Sequence, residues 1–237
     1  MKKILLSIVV ELALVATLFA VDADSSVYQN NPNYRMEMDM QRAYKTKKAD
    51  VVMLGNSLTH GANWNELLGR DKVVERGIPG DILEGYVNRL STVYSLSPKI
   101  CFVLGGANDV YSWIPVETIL KNYLIVVNTL KARGIKVVIQ STTYAADYWG
   151  TDWLKQHNPG VNVRDYNAGR NREIEKLNQS LKEFARKNNI EYIDINSKLS
   201  SGSFLKKDVT VDGIHLNAKG YKIWASEVNK VLLKNGL

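Results

Sequence analysis

The chain alternates between short uninterrupted apolar runs and longer stretches in which apolar residues recur every three or four positions. Residues 49–54, 99–104, 135–142 and 190–195 are runs rich in Val and Ile, and 72–75 is a shorter segment of the same kind. Continuous rather than alternating apolar character predicts parallel strands covered on both faces. Residues 82–94, 116–133 and 170–188 have helical periodicity; in the last, Ile174, Leu177, Leu181, Phe184 and Ala185 share one face. A final helix starts near Asn217, a good N-cap, and aligns Tyr221, Trp224, Ala225, Val228, Val231 and Leu232. A mostly polar helix over 35–48 precedes the first strand, and 24–33, with Pro32, reads as an irregular lead-in. The alternation predicts a three-layer α/β domain on a five-stranded parallel sheet with right-handed crossovers.

One stretch breaks the rhythm. Residues 143–169 are long, aromatic and interrupted by Gly150, Pro159 and Gly160, directly after the fourth strand. A loop of this length in a compact domain is usually functional. Tyr144, Tyr148, Trp149 and Trp153 are therefore candidates for a stacking wall in a sugar or aryl pocket, or else for a cap on the sheet end.

The first residues follow a different logic. Lys2 and Lys3 precede an apolar run over 4–20, and small residues stand at Ala20 and Ala23, the layout of a secretory signal peptide. Residues 1–23 are expected to direct export, or to persist as an anchor if uncleaved, and 24–237 to form a single domain. No cysteine near the segment's end is available for lipid attachment. The 237 residues are 45% hydrophobic and 23% charged, enough for one well-cored domain. The net charge of +7 is spread over helical faces rather than concentrated in a stripe interleaved with aromatics, so no nucleic-acid partner is expected. Cys101, the only cysteine, sits in a strand-like run as a small core hydrophobe and allows no intrachain disulfide.

Candidate chemistry lies at the ends of the runs. Gly55-Asn56-Ser57-Leu58-Thr59 follows the first strand and presents Ser57 at a helix start; Gly80 and Asp81 follow the second; Gly106-Ala107-Asn108-Asp109 follows the third. In an open parallel sheet such loops converge at the carboxyl edge. A serine hydroxyl needs a base, and of three histidines only His215 has a carboxylate, Asp212, three residues before it to orient the ring. The N–H groups of Ser57 and Gly80 and the side-chain amide of Asn108 supply donors for a developing oxyanion. Thr59 stands where a Gly-x-Ser-x-Gly elbow has its second glycine, which disfavours the α/β-hydrolase architecture. No metal-ligand spacing and no phosphate-loop motif is present, and the expected chemistry needs no metal or cofactor.

These four segments, with Asp212-Gly213-Ile214-His215 as the last, resemble the blocks of the SGNH hydrolase superfamily, the GDSL-like esterases, in order and across nearly the whole chain after the export segment. The resemblance implies a flavodoxin-like fold, Ser57 as nucleophile, Gly80 and Asn108 in the oxyanion hole, and Asp212 and His215 completing a triad. Asn56 stands where the family usually has Asp, and with Tyr144, Trp149 and Trp153 is a candidate for binding substrate. Residues 57–81 look nearest to the platelet-activating-factor acetylhydrolase-like branch, whose members often remove small acyl groups. The expected function is an exported serine esterase acting on a small acyl ester, an O-acetylated glycan foremost. A lipid or thioester hydrolase, an O-acyltransferase and a non-catalytic carbohydrate-binding protein are the alternatives.

Overall fold

The computed structural model describes residues 27–237. The expected export segment at 1–23 lies outside them. Five parallel strands carry the fold: β1 (Val51–Gly55), β2 (Val73–Gly77), β3 (Ile100–Val103), β4 (Lys136–Gln140) and β5 (Glu191–Ile193), in the order β2-β1-β3-β4-β5. This is the flavodoxin-like winding, in which the crevice for ligands opens beside β1 and β3 at the carboxyl edge, where the order reverses. The strands read as unbroken apolar runs because both faces are packed. Val52, Leu54, Cys101, Val103, Val137 and Ile139 enter one buried cluster, and Val51, Met53, Ile100, Phe102 and Val138 enter the other.

The helices number α1 (Pro32–Ala43), α2 (Ser57–His60), α3 (Trp64–Leu68), α4 (Leu83–Asn88), α5 (Ser91–Tyr94), α6 (Ala107–Tyr111), α7 (Val116–Lys131), α8 (Thr151–His157), α9 (Val163–Lys187), α10 (Asn196–Leu199) and α11 (Ala218–Lys234). The α4, α7 and α9 helices cover the first face; α3 and α11 cover the second, where the Trp64 and Trp224 rings meet edge-on at 4.7 Å. A two-strand hairpin, β6 (Ser200–Ser201) with β7 (Phe204–Leu205), was not expected. Among the described residues, no helix is long and apolar enough to cross a membrane.

Three expectations need correction. The 24–33 lead-in is partly helical, since α1 starts at Pro32 with Asn31 as its cap; a proline at the first helical position forfeits no hydrogen bond. The single helix expected over 82–94 is two, broken at Arg89 and Leu90, because the Arg89 side chain is drawn into the core by Asp81. The irregular stretch at 143–169 contains α8, and α9 begins at Val163 rather than 170, capped by Asn162.

The early turns of α9 hid from the pattern because asparagines occupy its buried face. Asn167, Asn171 and Asn178 are all buried, and with Ile174 and Leu181 they repeat at steps of four, three, four and three. Their amides satisfy the extended backbone that leaves β4. Asn171 accepts from the Ala145 N–H at 3.0 Å and donates to its carbonyl at 2.8 Å, and Asn178 does the same for Thr142 at 2.7 and 2.9 Å. Asn171→Ala strands the buried Ala145 N–H, at a cost of about 1–3 kcal/mol, while the Ala145 carbonyl keeps the Leu205 N–H at 3.2 Å. Urea unfolding of the variant should therefore show a loss of about 1–3 kcal/mol with an unchanged m-value; a loss below about 0.5 kcal/mol would remove Asn171 from this account.

Candidate active site

The chain leaves β1 through Asn56 and turns at once into α2, whose first residue is Ser57. Asn56 Oδ1 accepts the Leu58 N–H at 3.1 Å, and the Asn56 carbonyl accepts the His60 N–H at 2.9 Å. This turn needs room, since a Cβ on Gly77, at the end of the neighbouring β2, would stand 2.4 Å from the His60 nitrogen and 2.7 Å from the Asn56 carbonyl oxygen. Ser57 is thereby fixed, half buried, at the carboxyl edge of the sheet.

The partner of Ser57 comes from the far end of the chain. The Thr210 hydroxyl donates to the His215 carbonyl at 2.6 Å and accepts the Gly213 N–H at 3.0 Å. Asp212 Oδ1 accepts the N–H groups of Ile214 at 2.9 Å and His215 at 2.8 Å. So constrained, the His215 ring lies with Nε2 3.0 Å from Ser57 Oγ and Nδ1 2.6 Å from Asp212 Oδ2. With the ring proton on Nδ1 donated to Asp212, Nε2 is free to accept the serine proton. Burial opposes ionisation of Asp212, but the hydrogen bonds from the His215 ring and the Ile214 and His215 N–H groups outweigh it. Its carboxyl is held below the ordinary range.

Donors collect on the other side of Ser57. Gly80 sits in a left-handed turn at φ +76° after Pro79, whose carbonyl accepts the side-chain amides of Asn31 at 2.8 Å and Asn33 at 3.2 Å. The Ile78 N–H donates to the Gly55 carbonyl at 3.1 Å, and one N–H of the Asn108 side chain donates to the Asp81 carbonyl at 2.8 Å, leaving its second N–H. Ser57, Gly80 and Asn108 are thus brought to one edge by β1, β2 and β3. Among the described residues, the N–H groups of Ser57 and Gly80 donate to no protein acceptor.

Of the expected wall, the structure brings Trp149 and Tyr148 to the catalytic loop. The Trp149 Cβ would stand 3.1 Å from a Cβ on Gly213, between Asp212 and His215, with the Tyr148 ring beside it at 3.2 Å; the Ala146 N–H donates to the Gly213 carbonyl at 2.7 Å. The other two wall residues, Tyr144 and Trp153, and the further substrate-binding candidate Asn56 are elsewhere. Asn56 is buried and spent as the α2 cap. Tyr144 is buried, donates its hydroxyl to Glu175, and lines a separate cavity of about 350 Å³ that includes no triad or oxyanion residue. Trp153 is 56% exposed on α8 and stacks on His157 at 4.7 Å. One irregular loop would have gathered these aromatics; the helical turn of α8 sends Trp153 outward.

Two contributors escaped the sequence reading. Asn167 on α9 donates to the Trp149 carbonyl at 2.9 Å and accepts the Tyr111 hydroxyl at 2.9 Å, fixing the wall to α6. The signal that could have found it is the asparagine spacing along α9. Tyr221 on α11 donates to the Leu58 carbonyl at 2.8 Å and so joins the helix after His215 to the helix that starts at Ser57.

Residues 53–223, well over half of the chain, match the GDSL-like Lipase/Acylhydrolase family. The chain belongs to that family. Similar folds include a GDSL-like lipase of Bacteroides thetaiotaomicron VPI-5482, at 23% identity and TM-score 0.70 over 86% of this chain and 98% of that one. A Streptococcus pneumonia protein provisionally described as a platelet activating factor gives 19% and 0.67 over 94% and 98%. An acetyl xylan esterase gives 20% and 0.55 over 77% and 98%. An N-acylneuraminate cytidylyltransferase of Streptococcus agalactiae serotype V is 29% identical over 181 residues, 76% of this chain but 38% of that enzyme. The chain spans less than two fifths of the curated relatives it matches.

Two carboxyls beside the site are shifted by their surroundings. Burial pushes Asp109, next to Asn108, up to about 7 despite the Leu83 N–H on Oδ1, and Oδ2 has no partner among the described residues. Burial likewise pushes Glu75 on β2 up to about 7 against the Gly77 N–H and His60. Each holds its proton more tightly folded than unfolded, where the ordinary values are 3.8 and 4.5. The stability they confer is therefore complete below about pH 4 and is lost as pH rises through about 7. Melting temperatures measured from pH 5 to 8 should fall in the native protein, and less steeply in Asp109→Asn with Glu75→Gln. Parallel slopes would mean these carboxyls are not what sets the decline.

Proposed function

We propose that this GDSL-like esterase is exported and removes short acyl groups, acetyl above all, from carbohydrate through an acyl-serine. The observation that carries the mechanism is the relay from Ser57 Oγ to His215 Nε2 at 3.0 Å and from His215 Nδ1 to Asp212 at 2.6 Å. His215 takes the Ser57 proton as Oγ adds to the ester carbonyl. The oxyanion so formed is met by the N–H groups of Ser57 and Gly80 and the free side-chain N–H of Asn108. Collapse expels the sugar alkoxide, which takes the proton from His215 and leaves the acyl group on Ser57. Water, deprotonated by the same His215, releases the carboxylic acid and restores the enzyme.

Three features support the acetyl and carbohydrate reading. The site is open, with the side chains of His215 and Asp212 44% and 45% exposed, as suits a bulky polymeric alcohol better than a chain buried in an apolar tunnel. The oxyanion turn is bordered by polar groups, Asn31 lying 3.3 Å from where a Gly80 Cβ would be. A fold neighbour is an acetyl xylan esterase, and the curated relatives are named for a sugar acid. Nucleotidyl transfer, the reaction in those relatives' name, has no counterpart in a Ser-His-Asp relay. Export rests on the Lys2-Lys3 start, the apolar run and the small residues at Ala20 and Ala23.

Assays on p-nitrophenyl acetate, butyrate and octanoate should give the highest kcat/KM with acetate. Ser57→Ala should abolish all three, and Asp212→Asn should lower kcat by roughly 10⁴-fold, because the imidazole then adopts the wrong tautomer. A preference for octanoate would replace the short-acyl reading with a lipid hydrolase. Retained activity in Ser57→Ala would end the acyl-serine mechanism.

A further inference from the structure

The turn after α6 carries a residue that the esterase relay does not use. Trp113 is 65% exposed and adopts φ +60°, a left-handed conformation that bulky side chains rarely take. A glycine would occupy that turn without strain, so a strained and exposed indole there points to a use for the ring. The ring is also held in place. The Arg170 guanidinium stacks on it at 3.4 Å from the centroid while donating Nη1 to the Val110 carbonyl at 3.1 Å. Tyr166 meets it edge-on at 6.3 Å. One face is thus covered, and the exposed area belongs to the rest of the ring.

This ring belongs to a line of aromatics that ends at the triad. Tyr166 lies 6.2 Å from Tyr111, Tyr111 meets Trp149 edge-on at 4.4 Å, and Trp149 packs against Gly213 between Asp212 and His215. Trp113 follows Asn108 by five residues, two beyond the end of α6. The chemistry along the line is mixed. Arg170 Nε and Nη2 have no partner among the described residues, so a flat apolar ring face has hydrogen-bond donors at its rim. An apolar ring face edged by donors fits a pyranose, which has one face of C–H groups and a rim of hydroxyls. An acyl chain would leave those donors unpaired.

We propose that Trp113 and Arg170 form a sugar-binding subsite for a residue of the glycan next to the acylated one, on the leaving-group side of the triad. The inference rests on the carbohydrate reading above and adds where the remainder of the chain lies. Because it binds a unit remote from the reacting ester, the subsite holds substrate and transition state equally, and its loss is read in KM.

The test compares the native esterase with Trp113→Gly, which relieves the left-handed strain, and Trp113→Phe, which keeps a ring, on O-acetylated xylo- and chito-oligosaccharides and on p-nitrophenyl acetate. Trp113→Gly should raise KM for the best oligosaccharide at least tenfold with kcat within twofold. Its preference for that oligosaccharide over p-nitrophenyl acetate should fall at least tenfold, and Trp113→Phe should recover part of the loss. An unchanged KM, or a fall in kcat on both substrates alike, overturns the subsite while leaving the deacetylase reading in place. Should the native enzyme cleave p-nitrophenyl acetate but no glycan, the carbohydrate reading fails. The subsite then stands or falls on titration of tryptophan fluorescence with tetrasaccharides, and the absence of a shift that depends on Trp113 overturns it.

Discussion

The arrangement at the active edge depends on one buried guanidinium. Arg89 is fully enclosed, and its three nitrogens each donate to a different segment: Nε to the Asp81 carboxylate at 2.7 Å, Nη1 to the Arg76 carbonyl at 2.8 Å and Nη2 to the Gly55 carbonyl at 2.8 Å. Gly55 ends β1 just before the nucleophile, Arg76 lies near the end of β2, and Asp81 follows Gly80 in the oxyanion turn. A buried ion pair does little better than break even against the loss of hydration, so its value here is positional. Arginine suits the task because its planar fork reaches several acceptors at fixed angles, which a lysine cannot do. The Asn108 amide on the Asp81 carbonyl then brings the third loop into the same unit.

The sequence carried this edge more legibly than it carried its surroundings, for a physical reason. A parallel sheet packed on both faces writes itself as apolar runs, and the residues that do chemistry stand at the ends of those runs. Ser57, Gly80 and Asn108 were therefore legible as strand-end residues and Asp212 and His215 as a spaced pair, while their roles came from the resemblance to the SGNH blocks. What the pattern concealed is polar side chains in apolar places. Asn167, Asn171 and Asn178 broke the stripe of α9 and disguised its start, although all three are buried. Arg89 sits mid-way through a predicted helix as one more charged residue, and nothing in its neighbours announces that it turns inward.

The same blindness misplaced the aromatic wall. Tyr144, Trp149 and Trp153 are near one another in sequence, and with no helix foreseen between them they were grouped. Only side-chain direction separates them: Tyr144 toward Glu175, Trp153 outward onto His157, and Trp149 against the catalytic loop. Direction is set by helix phase and by which backbone groups need partners, and neither is visible in composition. Trp113 drew no notice in the pattern, since its left-handed backbone is a property of the fold.

The nucleophile and its base are anchored to different parts of the molecule, and the 3.0 Å contact between them measures how well those anchors agree. Ser57 is fixed to the sheet through Arg89 and the Asn56 cap. His215 is fixed by the Thr210 and Asp212 bonds to a loop that leads into α11, whose own start is capped by Asn217. Agreement between the two is made on the α11 face of the sheet. Tyr221 reaches the Leu58 carbonyl, Trp224 donates to Gln140 at the end of β4 at 2.6 Å, and Trp64 donates to the Thr59 carbonyl at 2.8 Å. These indole and phenol groups bury apolar rings while spending their polar ends on the backbone and side chain that flank the site. The packing that stabilises the second core therefore also sets the distance across which the serine proton moves.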